Sequence, residues 1–472
     1  MSSIFGALRS SADALAAFER GLTTSQNNVA NVSTPGYARQ TQGLTARPFD
    51  SSVTTGGVRV GELLSSRNEY IESSVRRRIQ DYNRWSQHAT SLEPVENTLD
   101  IAAGGGISSA LDELYVSFSA WSTTPNDATA RRAVIEKAKA LAESFQVADR
   151  NLAATSSDTD TQMKGLVGQI NTLAKQLSEF NSRRTGNQMD PGVDANFHAT
   201  LEQLSEIADV QAYQQSDGSW TVLLGDETPL VVGKFQYDIS FETAVPTDPA
   251  PAYPEGAPNA IIRDSAGREI TSQISSGQLG GLLDVRNRVL AGLRGDSSQP
   301  GELNRLAKAI ADQVNQLLTG GRISDGPPEV AGIALFTYGA SDTGTARTLS
   351  VNSAITPSQL AAIAPGPPYV SNGTALALAG LSSTSSIDGY TFSAFYARLA
   401  SLVGAEISGA EDNRSLEADS LAQARDLRQQ VSGVSLDEEA IKVLEFQKAY
   451  QAAAKMISVL SDLTDIVISM VR

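Results

Sequence analysis

Ser435-Leu-Asp-Glu-Glu-Ala-Ile-Lys-Val-Leu-Glu-Phe446, continued by Gln447-Lys-Ala-Tyr-Gln-Ala-Ala-Ala-Lys-Met-Ile457 and Ser458-Val-Leu-Ser-Asp-Leu-Thr-Asp-Ile-Val-Ile-Ser-Met-Val471, contains neither Gly nor Pro. It opens on an S-x-x-E capping box, Ser435 to Glu438, and Asp437, Glu438 and Glu439 put negative charge at the positive end of the helix dipole. One column of a heptad reads Leu436, Val443, Tyr450, Ile457, Thr464, Val471, and the other reads Phe446, Ala453, Leu460, Val467. Two columns at alternating three- and four-residue spacing make a seam that needs a partner helix. Met456, Leu463, Ile466, Ile468 and Met470 widen the stripe, which predicts burial on several sides. A helix docked on its own domain is the simpler alternative.

The first segment carries the matching half. Ile4, Ser11, Phe18, Ser25 and Val32 form one column, and Leu8, Leu15, Leu22 and Val29 the other. The expected seam packs Leu8, Leu15, Phe18, Leu22 and Val29 against Val443, Phe446, Tyr450, Ile457, Leu460 and Val467. It brings the two ends of the chain together and makes everything between them an insertion.

A chain of 472 residues exceeds a single core, so two or three domains are expected. The net charge of −16 argues against nucleic acid as a partner. The lack of cysteine excludes disulfides, thiolate catalysis and zinc–thiolate sites. There is no run of 18 apolar residues, so no membrane-spanning helix and no membrane partner are expected. The first fifteen residues are amphipathic and lack the basic start of a cleaved signal.

Taken in order, Pro35 cannot continue the first helix, and Pro35-Gly36 suits a type II turn with Gly36 at positive φ. Thr41–Val60 reads as a loop or hairpin around Gly56-Gly57, and Glu62–Leu99 as a helix. Arg76-Arg-Arg78 reads as a solvated helix face beside Glu72 and Asp81 rather than a phosphate patch. Gly104-Gly-Gly106 is a break. Ser108–Thr123 is an amphipathic helix, and Ala128 to Phe180 a long one with apolar spacing near seven, as in a rod-like bundle. Thr185–Gly192 is a loop and Asn196–Ile207 a short helix. Gln211–Gln215 and Ser219–Leu224 form a hairpin over Asp217-Gly218. Leu230–Phe241 adds one or two strands, Val245–Pro258 with its five prolines is a loop, and Ile261–Ile270 is a second hairpin. Helix returns at Gly280–Arg286, Leu303–Leu318, Thr374–Leu381 and Tyr390–Ser432, while Thr319–Ala375 is loop-rich with short strands. The fold class is therefore mainly α with an inserted β domain, the N- and C-terminal helices pairing as a coiled coil beside a helical, rod-like middle domain. The expected division is 1–45 with 430–472, 46–184 with 275–429, and an inserted 185–274.

A catalytic constellation is not legible. His88 and His198 lie 110 residues apart, outside any metal-ligand spacing, and read as solvated or satisfied core side chains. Asp226-Glu227 sits in a turn, and Asp437-Glu438-Glu439 is explained as helix-start charge. No G-x-S-x-G, H-E-x-x-H or phosphate-loop pattern appears. No enzyme activity, cofactor or metal is expected.

Asn28-Val-Ala-Asn31 followed by Thr34-Pro-Gly-Tyr37 resembles the N-terminal signature of the bacterial flagellar axial family of rod, hook and hook-associated subunits. Gln447-Lys-Ala-Tyr-Gln-Ala-Ala-Ala454 is similar to its C-terminal half, with Ala453 where the family usually has Asn. The motif residues are thus Asn28, Asn31, Thr34, Pro35, Gly36 and Tyr37. Within the family, Ser432–Ala440, Gly277–Arg286, and Leu303-Asn-Arg-Leu-Ala307 with Val314-Asn315 are similar to the hook-associated branch at the hook–filament junction. Gly332-Ile-Ala-Leu-Phe336 departs from the family's fuller ending, and the stretch from Thr185 to Ile274 matches nothing specific.

The resemblance implies a structural subunit that adapts the hook lattice to the filament. It implies export without a cleaved signal through the flagellar type III channel, secretion to the flagellum, and terminal helices that order into an inner tube on assembly. The implied partners are copies of the chain in a helical or ring assembly, the hook protein, the next hook-associated protein toward the filament, and an export chaperone for the C-terminal helix. A hook or distal-rod subunit is the alternative within the family. A secreted enzyme or adhesin with its activity in 185–274 is the alternative outside it.

Overall fold

The computed structural model describes residues 2–471 except 51–53, 100–104, 184–189, 248–249, 325 and 327. The break at Gly104 and the loop from Thr185 to Met189 lie outside the described residues.

Helix α1 (Ser2–Ala30) packs along the last helix, here α10 (Leu436–Val471). Two contacts define their direction. Asn28 meets Glu439, and an added Cβ on Gly21 would lie 2.8 Å from the Phe446 ring. Seven residues back along α1 is seven forward along α10, so the pair is antiparallel. Helix α1 ends at the expected turn: the Tyr37 N–H donates to Thr34 O at 3.2 Å, and Gly36 has φ +72°. The chain then forms an antiparallel hairpin, β1 (Gln40–Ala46) with β2 (Val58–Ser65), which lies on α1. Glu62–Ser65 therefore belongs to a strand, not to the following helix as expected. Asn68 sets the true helix start, its Oδ1 accepting from the N–H groups of Tyr70 at 3.0 Å and Ile71 at 3.3 Å.

Helix α2 (Glu69–Leu99) runs beside α9 (Phe392–Ser432), which leads back to α10. Between them lie α3 (Gly106–Thr123), the 56-residue α4 (Ala128–Arg183), α5 (Pro191–Ile207), α6 (Gly277–Asp284), α7 (Glu302–Gly320) and α8 (Gly373–Gly380). Helix α5 starts at Pro191, five residues before the expected Asn196, because Asp190 Oδ1 accepts from Gly192 N and Val193 N and Pro191 takes the first turn, where its missing donor costs nothing.

Strands β3 (Val210–Gln214), β4 (Trp220–Leu224), β5 (Thr228–Val232) and β6 (Phe235–Gln236) make one antiparallel sheet in chain order. A separate antiparallel pair joins β7 (Ser240–Ala244) to β8 (Asn259–Arg263) across the proline-rich loop. The hairpin expected over Ile261–Ile270 forms in short form on the other edge of β8, where Ile270 N donates to Ile262 O and Asp264 N to Arg268 O, both at 2.9 Å. Asp264 Oδ1 closes a tight turn by accepting from Ala266 N and Arg268 N, and the return arm makes one bridge, Arg263 to Glu269. The arm then turns into a 3-10 helix at Thr271–Gln273, so β8 finds its longer partner in β7.

Two apolar cores share the long α4. Its first half, from Val134 to Leu152, packs with α3, α7 and the start of α9 around Phe118, Trp121, Phe145 and Phe395. Its second half, from Met163 to Leu177, supports the sheet, with Trp220, Val222 and Leu230 facing it, together with α5 and α6. The mid-chain Gly277–Arg286 stretch joins these parts. Asp284 Oδ2 lies 2.8 Å from His88 Nε2, and Arg286 Nε donates to Asp160 Oδ1 at 2.9 Å. Burial raises the Asp284 carboxyl pKa, but hydrogen bonds from Arg288 and His88 win and hold it well below the usual carboxylate range. His88 is a buried, hydrogen-bonded core side chain, one of the two readings open for it.

Candidate assembly interface

Glu439, Val443, Phe446, Tyr450, Ala453, Ile457, Leu460, Thr464 and Val467 of α10 are buried or half-buried in an unbroken alternation of four and three, flanked by half-buried Lys442 and Ala449. Leu436, expected at the head of this seam, is 52% exposed; Glu439 takes that place with none of its surface exposed. Glu439 was readable from sequence only as helix-start charge, yet it is a seam residue. Opposite it, Leu8, Leu15, Phe18 and Leu22 are half-buried, and Val29 is 37% exposed. From the two contacts above, the antiparallel register sets Ala7, Ala14, Gly21 and Asn28 against Leu460, Ala453, Phe446 and Glu439. The column of small residues brings the helices close, and Gly21 is required where the Phe446 ring sits over the α1 backbone. This column, spaced by seven, was the unused signal in the sequence.

Asn28 closes the seam. It is fully buried and uses all four of its hydrogen-bonding capacities. Its Nδ2 donates to Gln40 O at 2.8 Å and to Glu439 Oε2 at 3.2 Å. Its Oδ1 accepts from the Tyr37 hydroxyl at 2.9 Å and from Gln40 N at 2.9 Å. Burial raises the Glu439 pKa, but hydrogen bonds from Lys442, Asn28 and Ser25 outweigh it and hold the carboxyl below its ordinary value. Burial, then the Glu439 charge, push the Tyr37 hydroxyl up to about 12. The sign follows: the Tyr37 contribution is complete below the ordinary value near 10 and is lost as pH rises through about 12. Asn31 and Thr34 act locally, with Asn31 Nδ2 donating to Asn27 O at 2.9 Å and Thr34 Oγ1 donating to Asn31 Oδ1 at 3.1 Å. Pro35 is exposed.

The capping box forms in half. Glu438 N lies 3.4 Å from Ser435 Oγ, while the Glu438 carboxylate turns to Arg39 at 2.7 Å. Arg39 N also donates to Ser432 O at 2.9 Å, tying the start of the hairpin to the α9–α10 junction.

A second knot fastens this terminal pair to the helical body. Gly36 leans on α5: an added Cβ would collide with the Ala195 carbonyl and lie 2.8 Å from Ala199 N. Arg67 Nη2 donates to Gly36 O, Nη1 meets Glu72 Oε1 at 2.8 Å, and Nε meets Asp194 Oδ2 at 3.1 Å, all nearly buried. Arg428 adds pairs to Glu72 at 3.4 Å and to Glu202. Arg76, expected on a solvated face, is 4% exposed and 3.9 Å from Glu69, because its side of α2 faces this joint. Gly36→Ala is expected to destabilise the chain by about 1–3 kcal/mol, since both the positive φ and the α5 contact oppose a side chain; equilibrium urea unfolding measures it.

On the other side of α10, Met456, Val459, Leu463, Ile466 and Met470 repeat the same alternation of three and four and are 44–79% exposed. The broad burial expected for this stripe is thus not supplied by the single chain. Among the described residues no group of three or more His, Cys, Asp or Glu is placed to hold a metal ion, and no helix is long and apolar enough to cross a membrane.

Terminal helices paired antiparallel, a Thr-Pro-Gly-Tyr turn knotted into them and a second heptad row left outside define an axial structural subunit. A family profile described as "Flagellar hook-associated protein FlgK helical domain" matches residues 92–336, a little over half of the chain, and one described as "Flagellar basal body rod FlgEFG protein C-terminal" matches residues 428–470. The chain belongs to the flagellar hook-associated protein FlgK family. It is similar to flagellar hook-associated protein 1 of Bacillus subtilis, 26% identical over 510 aligned positions covering 99% of both chains. It is 27% identical to flagellar hook-associated protein 1 of Salmonella typhimurium over 66% of this chain and 56% of that one. In fold it matches the flagellar hook junction protein FlgK from Burkholderia pseudomallei, with a TM-score of 0.64 at 16% identity over 76% of this chain and all of that one.

Proposed function

We propose that this chain is a structural, non-enzymatic subunit that assembles with copies of itself at the hook–filament junction and adapts the hook lattice to the filament. The observation that carries this reading is the second heptad row, Met456 to Met470, exposed beside a seam already filled by α1. A helix with two apolar facets is suited to pack on its own partner and on a neighbouring subunit, and head-to-tail repetition of such a contact builds a helical lattice. In this reading 1–45 with 430–472 is the inner-tube unit, 46–184 with 275–429 the helical body, and 185–274 an outer block resting on α4. Leu8, Leu15, Phe18, Leu22 and Val29 with Val443, Phe446, Tyr450, Ile457, Leu460 and Val467 form the assembly interface. The chain is exported through the flagellar type III route, an export chaperone covers the C-terminal helix beforehand, and the neighbours in the flagellum are the hook protein and the next hook-associated protein.

Electron microscopy of cells lacking the chain, with the medium probed for flagellin, tests this. The expected result is finished hooks without filaments and flagellin in the medium. Missing hooks would move the chain to the hook or distal rod, and normal flagella would overturn the assembly role and direct attention to 185–274.

A further inference from the structure

We infer that the buried Asn28–Glu439 layer is the register-determining element of the terminal helix pair, rather than a passive member of its seam. Apart from Gly21 beneath the Phe446 ring, the rest of the seam is close to degenerate. Ala7, Ala14 and Gly21 recur every seven residues on α1, and the facing column of Phe446, Ala453, Leu460 and Val467 does so on α10. A slip of one heptad therefore sets small residues against apolar ones again, and apolar layers alone discriminate poorly between such registers. The polar layer does discriminate. In the observed register all four capacities of Asn28 are used, and Glu439 accepts from Asn28, Lys442 and Ser25. One slip sets the Glu439 carboxylate against Gly21 and the other sets Asn28 against Phe446, and either leaves an Asn28 amide hydrogen without its acceptor. A single buried polar pair of this kind sets register in other coiled coils at some cost in stability. The layer also sits where α1, the Thr34–Tyr37 turn, the hairpin start and α10 all meet, so it transmits that register to the knot at Arg67.

The chain contains no cysteine, so engineered pairs report register without background. In the full-length chain, Ala14→Cys with Ala453→Cys reports the observed register. Ala14→Cys with Phe446→Cys, and with Leu460→Cys, report the two one-heptad slips, since a disulfide needs Cα atoms within about 7 Å. The unaltered seam is expected to cross-link through the first pair. In Asn28→Leu/Glu439→Leu the slipped pairs are expected to rise from about a tenth of the native yield or less to comparable yields. Glu439→Gln, which still accepts from Asn28 and Ser25, is expected to keep the native pattern. Glu439→Ala serves as the second variant should the double one fail to fold, and is expected to slip in the same sense. Exclusive native cross-linking in the Leu/Leu and Ala variants would overturn the inference and assign register to the Gly21–Phe446 packing and the Arg39 ties with Ser432 and Glu438. Equal cross-linking of all pairs in the unaltered seam would overturn it as well. The readout lies within one chain, so it succeeds or fails independently of the junction reading.

Discussion

Cells in which Leu15→Asp/Leu22→Asp replaces the unaltered chain are expected to make finished hooks without filaments, with flagellin lost to the medium. Both leucines are half-buried on α1, the helix that packs along α10. A carboxylate at each site opposes pairing by on the order of 2 kcal/mol or more, because it must either leave the interface or be buried without a partner. The α4-centred cores share no residue with these positions, so the body should stay folded, and circular dichroism of the purified variant should show its helices retained. Leu15→Ala/Leu22→Ala removes apolar area without adding charge and is expected to give a milder, partial loss of filaments. Normal filaments on the Asp variant would remove these residues from the assembly interface.

Arg67→Ala is expected to be the most destabilising single substitution at the joint between the terminal pair and the body, by about 3–5 kcal/mol. The side chain is 7% exposed, and its partners Glu72 and Asp194 are 3% and 8% exposed. Removing the guanidinium takes the bidentate cation from two buried carboxylates, leaving Arg428 at 3.4 Å from Glu72 and His198 Nε2 at 3.6 Å from Asp194. It also strips Gly36 O of its donor. Arg67→Lys keeps the charge but not the fork that reaches three acceptors on three elements, so it should recover only part of the loss. Equilibrium urea unfolding of the three proteins checks this, and equal stability of the Ala variant would show that the joint is held by apolar packing instead.

The parts legible in the sequence are those set by short-range chemistry. The heptads of α1 and α10, the turn at Pro35-Gly36 and the Asp217-Gly218 hairpin each rest on residues within one or two turns of one another. The stretch from Ile261 to Ile270 was legible in part: its turn and short return arm are local, while the longer pairing of β8 with β7 needed the closing of the proline-rich loop. Arg76 failed because a charged triplet on a helix says nothing about which of its members faces inward.

The Thr-Pro-Gly-Tyr signature shows the same boundary within a single motif. Its turn follows from the limits on Pro and Gly, but the reason Gly36 tolerates no side chain is α5, some 160 residues away. Glu439 is the sharper case. By sequence it belongs to a run of three acids at a helix start, and its neighbours Asp437 and Glu438 behave as such on the surface. One residue of helical phase, about 100°, sends Glu439 inward onto Asn28, 411 residues earlier. The sequence by itself determined the helical scaffold, the inserted strands and the need of each terminal helix for a partner, because periodicity and turn chemistry are local. Only the tertiary structure decided the antiparallel register, the polar layer that closes it and the Arg67 joint, because a buried charge acquires its meaning from groups that folding alone brings within hydrogen-bond reach.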